Sequence, residues 1–100
     1  MVDSLINLET KRASFNLTIE NTRCTLEFSI ENDTMDIRSV RVPESVGGRG
    51  LAGQLTRHAL DWAQTQTLKV IPTCPYVASW VQRHPEFLPI IAESSRDRLG

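Results

Sequence analysis

Val42-Pro43-Glu44-Ser45-Val46-Gly47-Gly48-Arg49-Gly50-Leu51-Ala52-Gly53 leads into a helical pattern, and that pattern into Leu68-Lys69-Val70-Ile71-Pro72-Thr73-Cys74-Pro75-Tyr76. A glycine-rich turn that ends a strand and opens a helix gathers unpaired backbone N–H groups into one concavity, and the helix dipole adds partial positive charge there. Such a turn favours an anionic ligand. The alternative is that the glycines only permit a tight strand-to-helix turn. One strand later, Thr73-Cys74-Pro75 ends a β-branched run and starts a second helix, with Pro75 suited to the first helical position and Cys74 to the cap. A thiol is thereby set at a second helix N-terminus, a setting that favours thiolate.

Working outward, the apolar residues Leu51, Ala52, Leu55, Ala59, Trp62 and Ala63 fall on one helical stripe, with Gln54, Arg57, Asp61 and Gln64 away from it. Leu68 to Pro72 is a short strand. A helix separates it from the strand before the glycine loop, so the two strands pair in parallel through a crossover. The second helix turns Val77, Trp80 and Val81 inward and stops before Pro85. Glu86 to Glu93 makes a further short turn interrupted by Pro89, and Ser94 to Gly100 forms a frayed tail.

Toward the N-terminus the period changes to two. Phe15, Leu17 and Ile19 alternate with polar residues, as do Cys24, Leu26, Phe28 and Ile30. These are two half-buried strands joined at Asn21-Thr22, and a polar turn at Glu31 to Thr34 leads to a third strand from Met35 to Val42, completing an antiparallel meander. Met35 and Ile37 share one parity whereas Val40 and Val42 take the other, which predicts a bulge or a passage to burial on both faces.

The 100 residues allow one domain with a single modest core. Eleven basic and twelve acidic side chains give a net charge of -1, without the basic patch a nucleic-acid or anionic-membrane partner needs. No run of about eighteen apolar residues and no basic leader occurs, so the expected setting is the cytoplasm, where the sequons at Asn16 and Asn32 carry no glycan and Cys24 and Cys74 are free thiols.

Gly48-Arg49-Gly50-Leu51-Ala52-Gly53 matches the dinucleotide fingerprint, but the strand that should end in a ribose-binding acid ends in Pro72-Thr73-Cys74. The P-loop reading fails because Gln54-Leu55 stands where Lys-Ser/Thr is needed. A cysteine-phosphatase arginine would fall at Trp80, and no Cys-x-x-Cys pair occurs. Cys24, Trp62 and Trp80 lie on core faces, and His58 and His84 read as structural or exposed. No metal site is expected.

Val42-Pro43, then Gly-Gly-Arg-Gly-Leu-Ala opening a helix of Leu-x-x-x-Ala-Leu-x-x-Ala type, resembles the coenzyme A pyrophosphate motif of Gcn5-related N-acetyltransferases. Val70-Ile71-Pro72-Thr73-Cys74-Pro75-Tyr76-Val77 with Trp80-Val81-Gln82-Arg83-His84-Pro85-Glu86-Phe87 resembles the very small members of that superfamily. The resemblance covers about residues 13 to 91. It implies an α+β fold in one domain spanning residues 1–100, a minimal acyl-CoA N-acyltransferase fold whose mixed sheet has antiparallel N-terminal strands flanked by helices.

For function, the resemblance implies acetyl-CoA as the acyl donor and an amine, small-molecule or peptide, as the acceptor. It implies that backbone of Val40, Arg41 and Val42 meets the pantetheine arm, that amides of Gly47, Gly48, Arg49, Gly50, Leu51 and Ala52 hold the pyrophosphate, that Tyr76 also touches the cofactor, and that Cys74 is catalytic. Acetyl passes to the amine directly from the thioester or through Cys74. Two departures stand out: Gly47 replaces the usual Arg or Gln, and Ser39-Val40 replaces a His-Thr pair, which bears on acid–base chemistry. Two readings from other classes follow, a non-catalytic coenzyme A module, for which Ser39-Val40 speaks, and a thiol redox or sensor protein built on Cys74, which has no need of the glycine loop.

Overall fold

The computed structural model describes residues 7–9 and 14–92. Strands β1 (Asn7–Glu9), β2 (Ser14–Ile19), β3 (Thr22–Glu31) and β4 (Thr34–Arg41) precede helix α1 (Leu51–Thr65), strand β5 (Lys69–Pro72) and helix α2 (Pro75–Gln82). The strands form one sheet in the order β1-β2-β3-β4-β5, antiparallel throughout except for the parallel β4–β5 pair. The sheet is therefore mixed, as the helix between β4 and β5 demands. Strand β1 was not legible in the sequence, and the expected tail from Ser94 to Gly100 lies outside the described residues.

Two hairpins set the register of the meander. Ile19 pairs with Thr22, so the β2–β3 turn is Glu20-Asn21 rather than Asn21-Thr22, and both turn residues have positive φ, 50° and 62°. That is the backbone whose twist suits a two-residue hairpin. Asn32-Asp33 closes the β3–β4 hairpin, where Glu31 pairs with Thr34.

The parity change in β4 is a bulge. Glu27 pairs with Ser39 but Phe28 pairs with Ile37, so Arg38 is the extra residue on β4. Met35 and Ile37 point into the core before it, and half-buried Val40, opposite buried Leu26, regains the core face after it. Without the extra residue, Val40 and Val42 would face water.

Both helices join one core with the sheet. Leu51, Leu55, Thr56, Ala59, Leu60 and Ala63 are the buried residues of α1, and Val77, Trp80 and Val81 those of α2. Thr56 and Leu60 extend the expected stripe. Buried Thr56 is satisfied locally, its hydroxyl donating to the Ala52 carbonyl at 2.8 Å. Phe15 packs against Phe28 and half-buried Trp62 with ring centroids 5.4 Å apart in each case, contacts of about 0.5–1.5 kcal/mol apiece beyond their buried area. After α2 the chain makes a short 3-10 turn over Pro85–Ile90 that includes Pro89, and Ile91 then bridges Val70 in parallel, covering the outer edge of β5.

The other face of the sheet is polar. Thr25, Glu27, Ser29, Glu31, Asp36, Ser39 and Lys69 alternate with the core residues and are exposed or half-buried. No described helix is long and apolar enough to cross a membrane.

Candidate functional site

Strands β4 and β5 run together only from Thr34↔Lys69 to Ile37↔Pro72. The Cys74 N–H then donates to the Ile37 carbonyl at 3.0 Å, and the chain turns into α2 while β4 continues past its bulge to Arg41. The edge of β4 beyond Ile37 therefore loses its neighbouring strand, and the two parallel strands part at their carboxyl ends, where open α/β sheets have their ligand crevice. Arg38, Ser39, half-buried Val40 and exposed Arg41 form its β4 side, with Val42 half-buried just after.

The glycine loop leaves that strand end directly. Pro43 caps a 3-10 turn at Glu44–Val46, and Val46, 1% exposed, plugs the loop into the core. The sequence showed no reason to single out Val46, because one apolar residue in a loop has no period. The Gly47 N–H is taken up by the Glu44 carbonyl at 3.0 Å, so Gly47 supplies loop shape rather than a free donor. Gly48 and Gly50 have φ of 80° and 73°, conformations that glycine adopts freely, and a Cβ at either would project into open space.

Gly50 caps α1, no side chain caps that terminus, and its first turn holds no acidic residue. The first intrahelical bond falls to Gln54 N–H on the Gly50 carbonyl, so the amides of Leu51, Ala52 and Gly53 face outward along the axis with the dipole unopposed. Leu51 is buried and anchors the helix start, whereas Ala52 is half-buried. Arg49 is held beside the loop by a 2.5 Å ion pair with Glu20 of the β2–β3 turn, an exposed pair that contributes little stability.

Helix α2 closes the third side. Cys74 is its N-cap, 6% exposed, with Pro75 at the first position and its carbonyl accepting from Ala78 N–H at 3.0 Å. Tyr76, 37% exposed, leans on the start of α1: a Cβ at Gly53 would stand 3.4 Å from its hydroxyl and 3.3 Å from Trp80 Nε1. Gly53 thus allows the two helix starts to approach. Its place in the glycine pattern signals a close approach, though not of which partners.

Both thiols are free. Cys24 is fully buried, and burial pushes its thiol up from the ordinary value. Both histidines pack on aromatic rings. His84 stacks on Trp80 at 3.7 Å with Nδ1 2.8 Å from the Trp80 carbonyl, and His58 meets the Phe15 ring edge-on at 4.9 Å. On the polar face, Ser39 donates to Glu27 at 2.8 Å, and the Thr73 hydroxyl donates to the Asp36 carboxylate, clasping β4 to β5 just before they part. Nothing in the sequence pairs Asp36 with Thr73, since each reads as one outward residue of a strand.

A sequence profile of the family described as GCN5-related N-acetyl-transferase matches residues 14–90. Protein NATD1 of Xenopus tropicalis is 35% identical over 52 residues, 52% of this chain and 48% of that protein. Protein NATD1 of Homo sapiens is 35% identical over 51 residues, 51% of this chain and 45% of that protein. The matched region thus spans about half the length of these curated relatives. The solution NMR structure of a GCN5-like protein from Staphylococcus aureus superposes with a TM-score of 0.72 at 17% identity, covering 92% of this chain and 91% of that one, a likeness of fold.

Proposed function

Because the chain belongs to the GCN5-related N-acetyltransferase family, we propose that it binds acetyl-CoA between the β4 end and the glycine loop and transfers acetyl to an amine. The observation that carries this reading is the parting of β4 from β5 beyond Ile37↔Pro72, directly beside an uncapped helix start whose glycines leave the concavity open. The residues present suit the cofactor. Amides of Gly48 to Ala52 offer donors to a pyrophosphate, and the free edge of β4 from Arg38 to Val42 offers backbone groups to an extended amide-bearing arm.

When bound, acetyl-CoA would supply an acyl thioester: the amine would form the new N–C bond as the C–S bond breaks, directly or after acetyl has passed to the Cys74 thiol, and the proton lost from the amine would end on the departing thiolate. Cys74 stands where the strands part, tied there by its own N–H on the Ile37 carbonyl, and carries the most nucleophilic side chain of the Thr73-Cys74-Pro75 turn. The glycine loop and Tyr76 orient the donor. A second reading, a coenzyme A binding module without turnover, is favoured by one observation: both histidines pack on aromatic rings and neither lies on the strands that part, which therefore bring no imidazole of their own as base.

The test compares wild type and Cys74→Ala side by side with acetyl-CoA and a panel of amines. The proposal expects coenzyme A affinity to change by less than about tenfold while kcat falls. Equal turnover in both would remove Cys74 from the reaction. No turnover in either, with coenzyme A bound, would establish the binding module.

A further inference from the structure

Trp80 reads in the sequence as a core residue, and in the structure it is 5% exposed. Its ring is fixed by its neighbours. His84 stacks on it at 3.7 Å with 11° between the planes, and Phe87 lies 5.6 Å away. The Arg57 guanidinium, itself paired with Glu86 at 3.6 Å, stands 5.4 Å over the same ring. A ring clamped in this way holds its N–H in one direction, and an indole nitrogen can only donate.

Indole N–H groups placed this deeply usually have a hydrogen-bond partner. Among the described residues Trp80 Nε1 has none, and neither has Tyr76 Oη, four residues earlier on the same face of α2. No sealed side-chain nitrogen or oxygen in the described residues lacks a partner, so the indole nitrogen comes to the surface. Gly53 shows where. A Cβ there would stand 3.3 Å from Trp80 Nε1 and 3.4 Å from Tyr76 Oη, so two side-chain donors converge on one point beside the first turn of α1.

In a helix the Cα–Cβ bond tilts toward the N-terminus, which sets that point on the side of the outward amides of Leu51 and Ala52. No side chain caps this terminus, and its first turn holds no acidic residue. The helix start and the indole N–H are independent features, and both call for an acceptor. A set of donors on the axis with two more on the flank suits an anion with several oxygens, a phosphate ester rather than an amine or a metal ion. We propose that Trp80 and Tyr76 are phosphate-binding residues: with one phosphate of a diphosphate ester on the α1 amides, the adjacent phosphate accepts from the indole N–H and the phenol O–H. This inference rests on the coenzyme A reading for the identity of the ester, and on the two donors for its position.

The chain has two tryptophans, so amide NMR spectra of the ¹⁵N-labelled protein carry two indole resonances, which Trp62→Phe assigns. Coenzyme A, inorganic diphosphate and pantetheine, which has no phosphate, are titrated into wild type and Tyr76→Phe. The expected result is a saturable downfield shift of the Trp80 indole proton with coenzyme A and with diphosphate, none with pantetheine, and coenzyme A affinity about tenfold lower in Tyr76→Phe. Tyr76 is 37% exposed and loses only its hydroxyl, so this variant keeps the fold. Three outcomes overturn the proposal while the coenzyme A reading stands: coenzyme A shifts the glycine-loop amides but not the indole proton, pantetheine moves that proton equally, or Tyr76→Phe binds coenzyme A as tightly as wild type. A diphosphate shift of the indole without coenzyme A binding supports the two donors and sinks the coenzyme A reading. No response to either ligand overturns both.

Discussion

The Cys74 amide donates to the Ile37 carbonyl across 3.0 Å, joining the N-cap of α2 to β4 at the end of their shared register. Everything proposed for the site follows from what happens one residue later. Beyond Ile37 the bulge at Arg38 turns β4, while Pro75 commits the segment after β5 to a helix. Neither strand can continue the pairing.

Gly50→Val tests the glycine loop. The φ of 73° puts any β-branched residue in a costly conformation, about 1–2 kcal/mol, and the added side chain would project into the open concavity. The expected outcome is a folded protein, slightly lower in melting temperature, whose coenzyme A affinity falls by about tenfold or more in calorimetry. Unchanged affinity would remove the loop from the site.

Timed alkylation near neutral pH, read by peptide mass spectrometry, distinguishes the cysteines. Cys24 is fully buried and its thiol is pushed up by desolvation, whereas Cys74 retains 6% exposure at a helix start. Cys74 should be labelled first, more slowly with coenzyme A present. Faster labelling of Cys24 would contradict both the strand parity and the site.

The fold was legible where periodicity is strong. Alternation around Phe15, Leu17, Cys24, Leu26 and Phe28, and the stripe from Leu51 to Ala63, named most of the core, and the reversed parity of Val40 and Val42 signalled a bulge or burial on both faces, between which the β3–β4 register decides for the bulge. Pairings across the sheet were not legible. Asp36 and Thr73, or Glu31 and Asp36, become neighbours only through the β4–β5 and β3–β4 registers, and an isolated outward residue carries no sign of its partner. The site's outline came from local backbone chemistry, glycines at positive φ and a proline after a cap, which a sequence displays directly.

The C-terminus of α1 stores strain that the sequence hid. Helices commonly stop on a glycine in the left-handed region, but here that position is Thr67 at φ 58°, with Leu68 N–H bonded to the Ala63 carbonyl at 2.9 Å. Thr67→Gly should stabilise the protein by about 0.5–1 kcal/mol and raise the melting temperature by a few degrees. A lower melting temperature would show that the threonine side chain contributes more than its backbone costs.

Cys24 should also mark the alkaline limit of stability. Its folded thiol titrates above the ordinary value of 9.0 because burial disfavours thiolate, so above that pH the unfolded chain releases the proton and the folded one retains it. The unfolded state then binds fewer protons, and stability falls as pH rises from about the ordinary value toward the raised one. Denaturation of wild type and Cys24→Val across neutral to alkaline pH should give a constant difference at neutral pH and a relative loss in wild type above it. A difference that stays constant throughout would show that Cys24 does not ionise preferentially on unfolding.

The central claim is that coenzyme A sits on backbone groups at the β4 end and the start of α1. The most direct measurement is a coenzyme A titration of the ¹⁵N-labelled protein followed by amide NMR shifts. The account predicts saturable shifts concentrated at Val40 to Val42, Gly48 to Ala52, and Cys74 to Tyr76, with the Glu20-Asn21 turn responding only through Arg49. Shifts centred elsewhere on the sheet, or none at millimolar coenzyme A, would contradict it.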